Sequence, residues 1–482
     1  MKVRFISHAS FSVESEGTTL LTDPWLVGKA FNNGWSLLSP SASVPFERID
    51  YVWISHQHPD HLNFPTLKSI PQQERGRITV LYQRHASPRI AKVLIGLGYA
   101  NVVELPLHRW VRLRGSIKVM CGSVGSMDSW LALRAEDECI LNLNDCALSP
   151  RLTRQVRELV TGPISLLFTQ FSFANWIGNY SDDCGEAERK IVDLQVRRKL
   201  FKPEATVPFA SFIYFCNREN SWMNKFAVTP HRIEEMHLPD VNFMYPGDEW
   251  DSVVRHFNSA EAIRRYMSDL QRLSIDPTPP PCSPDELEEA ITRMLRLLHS
   301  RFSWVLIGRI APFDVYLHDI NKVAHIYPAT AGCKVVDVTE ESKLNARYTM
   351  CSQVLWFAFS YSWGWAAMEV SGMFLDREYG TRGANSLGFY MNLLSTECLD
   401  FRSFGQSLRT LGFLWAKRFE IADRMLDKFA GAIRNRALDR SGPRPYEPNG
   451  PGERPANIGG PQETEVLTCP STHDPSSHDY AR

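Results

Sequence analysis

Very little of the charge in this sequence is unbalanced. Lysine and arginine number 53 against 54 aspartates and glutamates, a formal net charge of −1, and no long run of one sign occurs. That excludes a nucleic-acid or polyanion binder whose affinity rests on phosphate neutralisation. The ten cysteines are scattered, with no Cys-x-x-Cys spacing, and read as reduced cytosolic thiols, not as a disulfide framework. The opening Met1-Lys-Val-Arg-Phe-Ile-Ser-His8 lacks the apolar core of a signal peptide and reads as a first strand. The most apolar stretch, Val354 to Val370, is interrupted by Ser360, Tyr361 and Ser362, which fits a buried helix and not a membrane span. No internal repeat is evident. What remains is the expectation of a cytoplasmic globular protein, 44% hydrophobic and 22% charged, whose 482 residues allow two or three domains.

The densest chemistry lies at Ile54-Ser-His-Gln-His-Pro-Asp-His61. Three histidines and one aspartate fall within six positions, directly after the apolar run Tyr51-Val-Trp-Ile54. The run reads as a buried strand, so the polar cluster sits at a strand end. His56 and His58 alternate by two, which in an extended chain points both imidazoles the same way. Together they can grip one metal ion, while Asp60 and His61, around the turn, can face a second. Imidazole with carboxylate suits zinc or iron.

Around this cluster the first quarter is strand-rich, with Glu16-Gly17 as a hairpin signal. His8 leaves the first strand and Asp23 the third. Both are candidate hydrogen-bonded supports for the ligating histidines, which usually need such a partner. The strand Cys139 to Asn144 ends in Asp145. A carboxylate at a buried strand end is costly unless paired or metal-bound, so Asp145 is the natural bridge between two metals; the competing role is N-cap of the helix near Pro150 to Leu159. A charged amphipathic helix is expected over Glu186 to Leu200 and a strand over Val207 to Phe215. Strands, helices, strands and helices in that order fit two sheets packed face to face under outer helices. We expect this domain over residues 1–250, a linker with a stiff proline run over 251–282, an α+β domain over 283–435 and a disordered tail over 436–482. The second domain opens on the capping box Ser283-Pro-Asp-Glu286. Strands are expected at Phe302 to Ile310, Phe313 to Leu317 and Cys333 to Val338, and helices over Met350 to Phe374 and Phe404 to Ala430.

His56-Gln-His58-Pro-Asp60-His61 resembles the HxHxDH signature of the metallo-β-lactamase superfamily. Segments Asp23-Pro-Trp-Leu-Val-Gly-Lys-Ala-Phe31, Phe64-Pro-Thr-Leu67, Met127-Asp128, Ile140 to Cys146 and Pro208-Phe-Ala210 are similar to the catalytic region of the nucleotide-sugar N-acetyl hydroxylases. The resemblance covers roughly residues 1 to 250. It implies an α/β fold, a metallo-β-lactamase-type αββα sandwich followed by the smaller α+β domain and the tail. It also implies a centre of two divalent ions, iron favoured and zinc the alternative, held by His56, His58, Asp60, His61, Asp128 and Asp145. The superfamily's usual third histidine has no match in Gly122 to Asp128, where Asp128 is the one ligand-type side chain. A Rieske cluster needs two Cys/His pairs, and Cys469-Pro-Ser-Thr-His473 supplies one.

Two activities follow from these expectations. One is a dinuclear monooxygenase hydroxylating a small molecule, with the N-acetyl group of a nucleotide sugar the implied target. Its electrons would come from a separate ferredoxin or reductase. Arg218, Glu219, Asn220 and Asn224 are then candidates to bind polar substrate groups. The other is a hydrolase of an ester, lactone or phosphodiester using a metal-bridging hydroxide oriented by Asp60, the catalytic residue.

Overall fold

The computed structural model describes residues 1–84, 89–125, 127–179, 185–378 and 386–396, together with Leu411 and Trp415. The expected helix over Phe404 to Ala430, the tail from residue 436 and the Cys469/His473 pair therefore lie outside the described residues, Leu411 and Trp415 apart.

Two sheets form the first region. One has seven strands, with Glu249–Asp251 and the hairpin strands Lys2–Ser7, Ser10–Ser15 and Thr18–Thr22 followed by the parallel strands Tyr51–Ile54, Thr79–Gln83 and Asn101–Leu105. The other has six, with Ala205–Phe209, Leu166–Gln170 and Glu138–Asn142 parallel and Asp128–Ala135, Lys118–Val124 and Val111–Arg112 antiparallel. The period-two alternation of each strand decides which side chains meet. Phe5, Phe11, Val13, Leu20 and Trp53 of the first sheet face Cys121, Leu131, Leu133, Phe168 and Val207 of the second in one core. Phe11 stacks on Phe168 across the gap, centroids 4.2 Å apart, and each such buried ring contributes roughly 2 to 3 kcal/mol.

The intervening residues face outward under helices. Ile6, Leu21, Val52, Ile54 and Val80 pack with Leu67 of helix Phe64–Ser69 and with Ile90 and Leu94 of helix Arg89–Gly96. Met120, Trp130, Ala132 and Leu141 pack with Val156 of helix Pro150–Leu159 and Phe201 of helix Gly185–Phe201. This is the expected layered sandwich. Gly122 is required in it, because its strand partner Trp130 lays its indole across that position and a Cβ would come within 2.3 Å of the ring.

Residues 251–270 do more than link. Strand Glu249–Asp251 pairs with Lys2–Ser7, and helix Ser259–Leu270 places Ala262, Ile263 and Tyr266 in the inter-sheet core. The apolar spacing of that helix outweighs the composition that suggested a linker. The expected strand Val207 to Phe215 is two strands, Ala205–Phe209 and Ile213–Phe215, broken at Ala210, whose φ is +51° and whose N–H bonds the His8 carbonyl at 2.7 Å.

The second region is a five-stranded sheet, ordered Gly332–Asp337, Lys322–Tyr327, Phe313–Leu317, Tyr348–Met350 and Leu375–Asp376. The helix Pro284–Arg301 starts at Ser283 with both capping-box hydrogen bonds formed, and buries Leu287, Ile291, Met294, Leu295 and Leu298. Two readings fail here. Phe302 to Ile310 is no strand: Ser303 caps the short helix Trp304–Ile307, so local turn bonding replaces a sheet partner. Met350 to Phe374 is not one helix but Ser352–Ser360 and Gly364–Ser371, interrupted at Tyr361 to Trp363. Among the described residues no helix is long and apolar enough to cross a membrane.

Candidate metal centre

The site sits where strands end. Strand Tyr51–Ile54 delivers Ser55 and His56, and a tight turn with His61 N–H on the His58 carbonyl at 3.0 Å folds the four motif residues back on themselves. His8 follows strand Lys2–Ser7, Asp23 follows Thr18–Thr22, and Asp128 opens its own strand. Asp145 follows Asn144, whose φ is +48°. Asp145 does not cap the next helix: Ser149 does, accepting from the Leu152 N–H.

Three groups of ligand-type atoms result, each with its atoms within 4.8 Å of one another: His8, Asp60 and His61; His56, His58 and Asp128; and His56, His61 and Asp145. His56 Nε2 faces His58 Nδ1 at 2.9 Å. Asp60 Oδ2 lies 3.3 Å from both His8 Nε2 and His61 Nε2. Asp145 Oδ2 lies 3.7 Å from His56 Nε2 and from His61 Nε2. The expected set of six converges, and His8 joins it. Sequence reasoning placed His8 behind the ligands as a support; the structure puts its Nε2 against Asp60, because the chain re-enters the sheet immediately after strand one.

Asp23 lies behind His61. Its Oδ2 lies 2.9 Å from His61 Nδ1 and its Oδ1 accepts the Ser55 N–H at 2.7 Å, in a site with no exposure. Ser55 is a support the sequence reading missed. Its hydroxyl lies 2.9 Å from His56 Nδ1 and 3.2 Å from His61 Nδ1, and its carbonyl accepts from Ser129 Oγ at 2.6 Å. With Nδ1 of both rings engaged from behind, Nε2 of both is left facing the cluster. The signal for Ser55 was its place between the strand and the first histidine.

The electrostatics match a cation-binding cradle. Burial and then the neighbouring histidine hold His56 and His58 below the usual imidazole range, so both rings are neutral donors. Burial opposes ionisation of Asp145, but His56 and His61 outweigh it and bring its carboxyl down to about 2. Asp60 is likewise held well below the carboxylate range, against its burial, by His61 and His8. His61, though buried, is pushed well up by Asp60, Asp145 and Asp23. Four buried polar atoms here have no hydrogen-bond partner: Asp60 Oδ1, Asp145 Oδ1, His61 Nε2 and His8 Nδ1. Buried groups are rarely left so, and carboxylate oxygens converging with imidazole nitrogens fit one or two cations.

Residues 2–108 match the family model of the β-lactamase superfamily domain. The first region has the metallo-β-lactamase fold. Within the chain, 228 residues are 27% identical to the cytidine monophosphate-N-acetylneuraminic acid hydroxylase of Mus musculus, covering 44% of this chain and 39% of that protein. The chain thus spans well under half the length of that relative. Among solved structures, CmlA, a diiron β-hydroxylase from Streptomyces venezuelae, is 24% identical with a TM-score of 0.34, covering 43% of this chain and 44% of its own. A possible metal-dependent hydrolase from Veillonella parvula is 14% identical with a TM-score of 0.39, covering 52% and 98%.

Three of the four residues expected to bind substrate have structural partners instead. Asn220 is fully buried, its amide nitrogen donating to the carbonyls of Gly34 at 2.9 Å and Ser371 at 2.7 Å. Asn224 pairs with both backbone groups of Phe215, at 2.8 and 2.9 Å. Glu219 accepts from Thr278 Oγ1 at 2.7 Å and meets His318 Nε2 at 2.9 Å. Arg218 is exposed. Their polar groups close the loop and join it to the second region, so three of the four are braces. The wall beside His58 comes instead from Phe31, 5.7 Å away edge-on and packed on Trp35. Asn32, next to it, exchanges two amide hydrogen bonds with Gln353 of the second region, at 2.9 and 3.0 Å.

Proposed function

We propose that this protein is a dinuclear-metal monooxygenase that hydroxylates a small molecule, the N-acetyl group of a nucleotide sugar being the target its relatives suggest. The donor set carries this reading: each of the three groups combines two histidines with one aspartate. Two histidines and one carboxylate with open positions is the set that non-haem ferrous oxygenases use. His56, His58 and Asp128 would hold one ion and His8, Asp60 and His61 the other, with Asp145 shared. Iron is favoured over zinc because a carboxylate, Asp128, stands where the superfamily usually supplies a third imidazole. The sequence likeness to a hydroxylase supports the same choice.

A reduced iron pair would supply activation of O₂ for insertion into a C–H bond, with electrons from a separate ferredoxin or reductase. The chain's own residues do the rest. Asp23 and Ser55 lock the rings of His61 and His56. Phe31 and Trp35 keep water from the flank of His58. His58, Asp128 and Asp145 are the part-exposed members of the cluster, so the substrate approaches on their side.

A hydrolase is the second reading. Two histidines and a carboxylate also hold catalytic zinc, and Asp60, with Oδ1 unpartnered, is placed to take a proton from a water nucleophile attacking an ester, lactone or phosphodiester. Metal analysis with paired assays separates the two. Expected are two irons per chain and reductant-dependent O₂ uptake, yielding a nucleotide-sugar product heavier by one oxygen. Tightly held zinc with O₂-independent ester or phosphodiester cleavage would replace the first reading by the second.

A further inference from the structure

The reading above leaves two cations of helix Gly185–Phe201 unused. Helical spacing puts Ala187, Ile191, Leu194, Arg197 and Phe201 on its inward face, and Lys190 shares that side, three residues after Ala187 and seven before Arg197. Arg197 is 1% exposed and both of its terminal nitrogens are committed to structure: the fork donates to Thr169 Oγ1 and to the Cys146 carbonyl, both at 2.7 Å. It braces the chain just after Asp145.

Lys190 lies nearer the helix start and differs. Its ammonium donates to Gln170 Oε1. Gln170 ends strand Leu166–Gln170, and its N–H bonds the Asn144 carbonyl at 3.1 Å, beside Asp145. Its amide nitrogen reaches the Ala210 carbonyl at 3.5 Å, and the Ala210 N–H bonds the His8 carbonyl. Gln170, 2% exposed, therefore stands between the segments that carry Asp145 and His8, and it holds the ammonium there. Among the described residues no carboxylate forms an ion pair with Lys190. Asp193, Asp145 and Glu186 lie within its field without pairing with it, and Glu186 is engaged with Arg189 at 2.7 Å. One neutral partner leaves two N–H donors of the ammonium free. The side chain is half-buried, and burial, with Arg197 adding to it and Asp193, Asp145 and Glu186 opposing, holds the ammonium below the usual lysine range.

We propose that Lys190 is a substrate-binding residue that receives an oxyanion of the substrate, a carboxylate or a phosphate, between the segments that carry Asp145 and His8. The inference rests on the cluster being the reaction centre but not on which chemistry occurs there. An anion seated against Lys190 would lie beside the metal ligands, held by charge-assisted hydrogen bonds at one end while the rest of the molecule extends toward His58.

Calorimetric binding to the metal-loaded protein tests this, with cytidine 5′-monophosphate, glucuronate and neutral N-acetylglucosamine as probes. Expected is a loss of about tenfold or more in affinity for one anionic probe in Lys190→Gln, partial recovery in Lys190→Arg, and no change for the neutral sugar. The probe that responds tells phosphate from carboxylate. Gln170→Glu provides a second route if Lys190→Gln folds poorly: an internal carboxylate should occupy the ammonium and weaken the same probe. Anion affinity unchanged in Gln170→Glu or in folded Lys190→Gln, or an equal loss for the neutral sugar, overturns the proposal. Binding needs neither O₂ nor turnover, so a failed hydroxylation assay leaves this result standing on its own.

Discussion

Two polar loops of this protein look alike in sequence and do opposite work. Residues 55–61 and 217–224 each follow an apolar strand and each crowd histidine, asparagine or charged side chains into a few positions. In 217–224 the amides find backbone. Asn217 accepts from the Glu219 N–H and donates to the Pro277 carbonyl, Asn220 donates to two carbonyls, and Asn224 copies a strand partner for Phe215. In 55–61, and in the residues that converge on it, acceptor atoms face acceptor atoms and several are left without a donor. A satisfied buried polar group is structure; a set of buried acceptors turned toward one point is a place kept for a cation.

The strongest way to break that distinction is Asp145→Ala. The carboxylate is within 3.7 Å of two imidazoles but has one oxygen with no partner, so its removal should cost the metal-free fold little. Metal content should fall, and activity by more than about a hundredfold, since even groups behind the ligands cost 10 to 100-fold when lost. Elemental analysis and a melting curve with and without added metal check it: metal should raise the melting temperature of the wild type and not of the variant. Full metal content in Asp145→Ala would remove that residue from the centre.

Asn220→Ala should do the reverse. It strips two buried carbonyls of their donor and leaves the Asn217 N–H without its acceptor, so a loss of about 3 kcal/mol is expected in urea unfolding. Metal per folded chain should stay at the wild-type value. A variant that lost metal but not stability would return this loop to the active site.

The same contrast explains what the sequence could show. The sandwich was legible because strand alternation and helix spacing are local, as in Val119-Met-Cys121 turning alternate residues to two different cores. The histidine and carboxylate cluster was legible because these residue types are dense and strand-terminal in 56–61. The contact of His8 with Asp60 and the place of Ser55 behind two imidazoles were not legible, because they depend on which strand ends lie together, which spacing within one segment does not encode. Arg218 to Asn224 misled because asparagine and glutamate read the same whether they meet a ligand or a carbonyl from the second region, and Ser371 lies 151 positions away. Lys190 was hidden in an ordinary charged helix until the position of Gln170 was known.

A smaller test probes the join between that loop and the second region. Glu219 Oε2 meets His318 Nε2 at 2.9 Å. The hydrogen bond to Glu219 raises the His318 imidazole above its usual range against the pull of burial, and Asp319 adds to it. Burial opposes ionisation of Glu219, but His318 and Thr278 outweigh it and lower its carboxyl. A group whose folded pKa is raised contributes stability that is complete below its unfolded value, about 6.5 for histidine, and lost as pH rises through the folded value. Wild-type stability should therefore decline relative to His318→Gln from about pH 6.5 upward. The amount should stay under about 1 kcal/mol, because the imidazole is 31% exposed and partly screened by solvent. Urea midpoints across that range measure it. A wild-type minus variant difference that does not move with pH would mean the ion pair does not form, and that neutral contacts alone, Thr278 to Glu219 and Asn220 to Ser371, hold the loop against the second region.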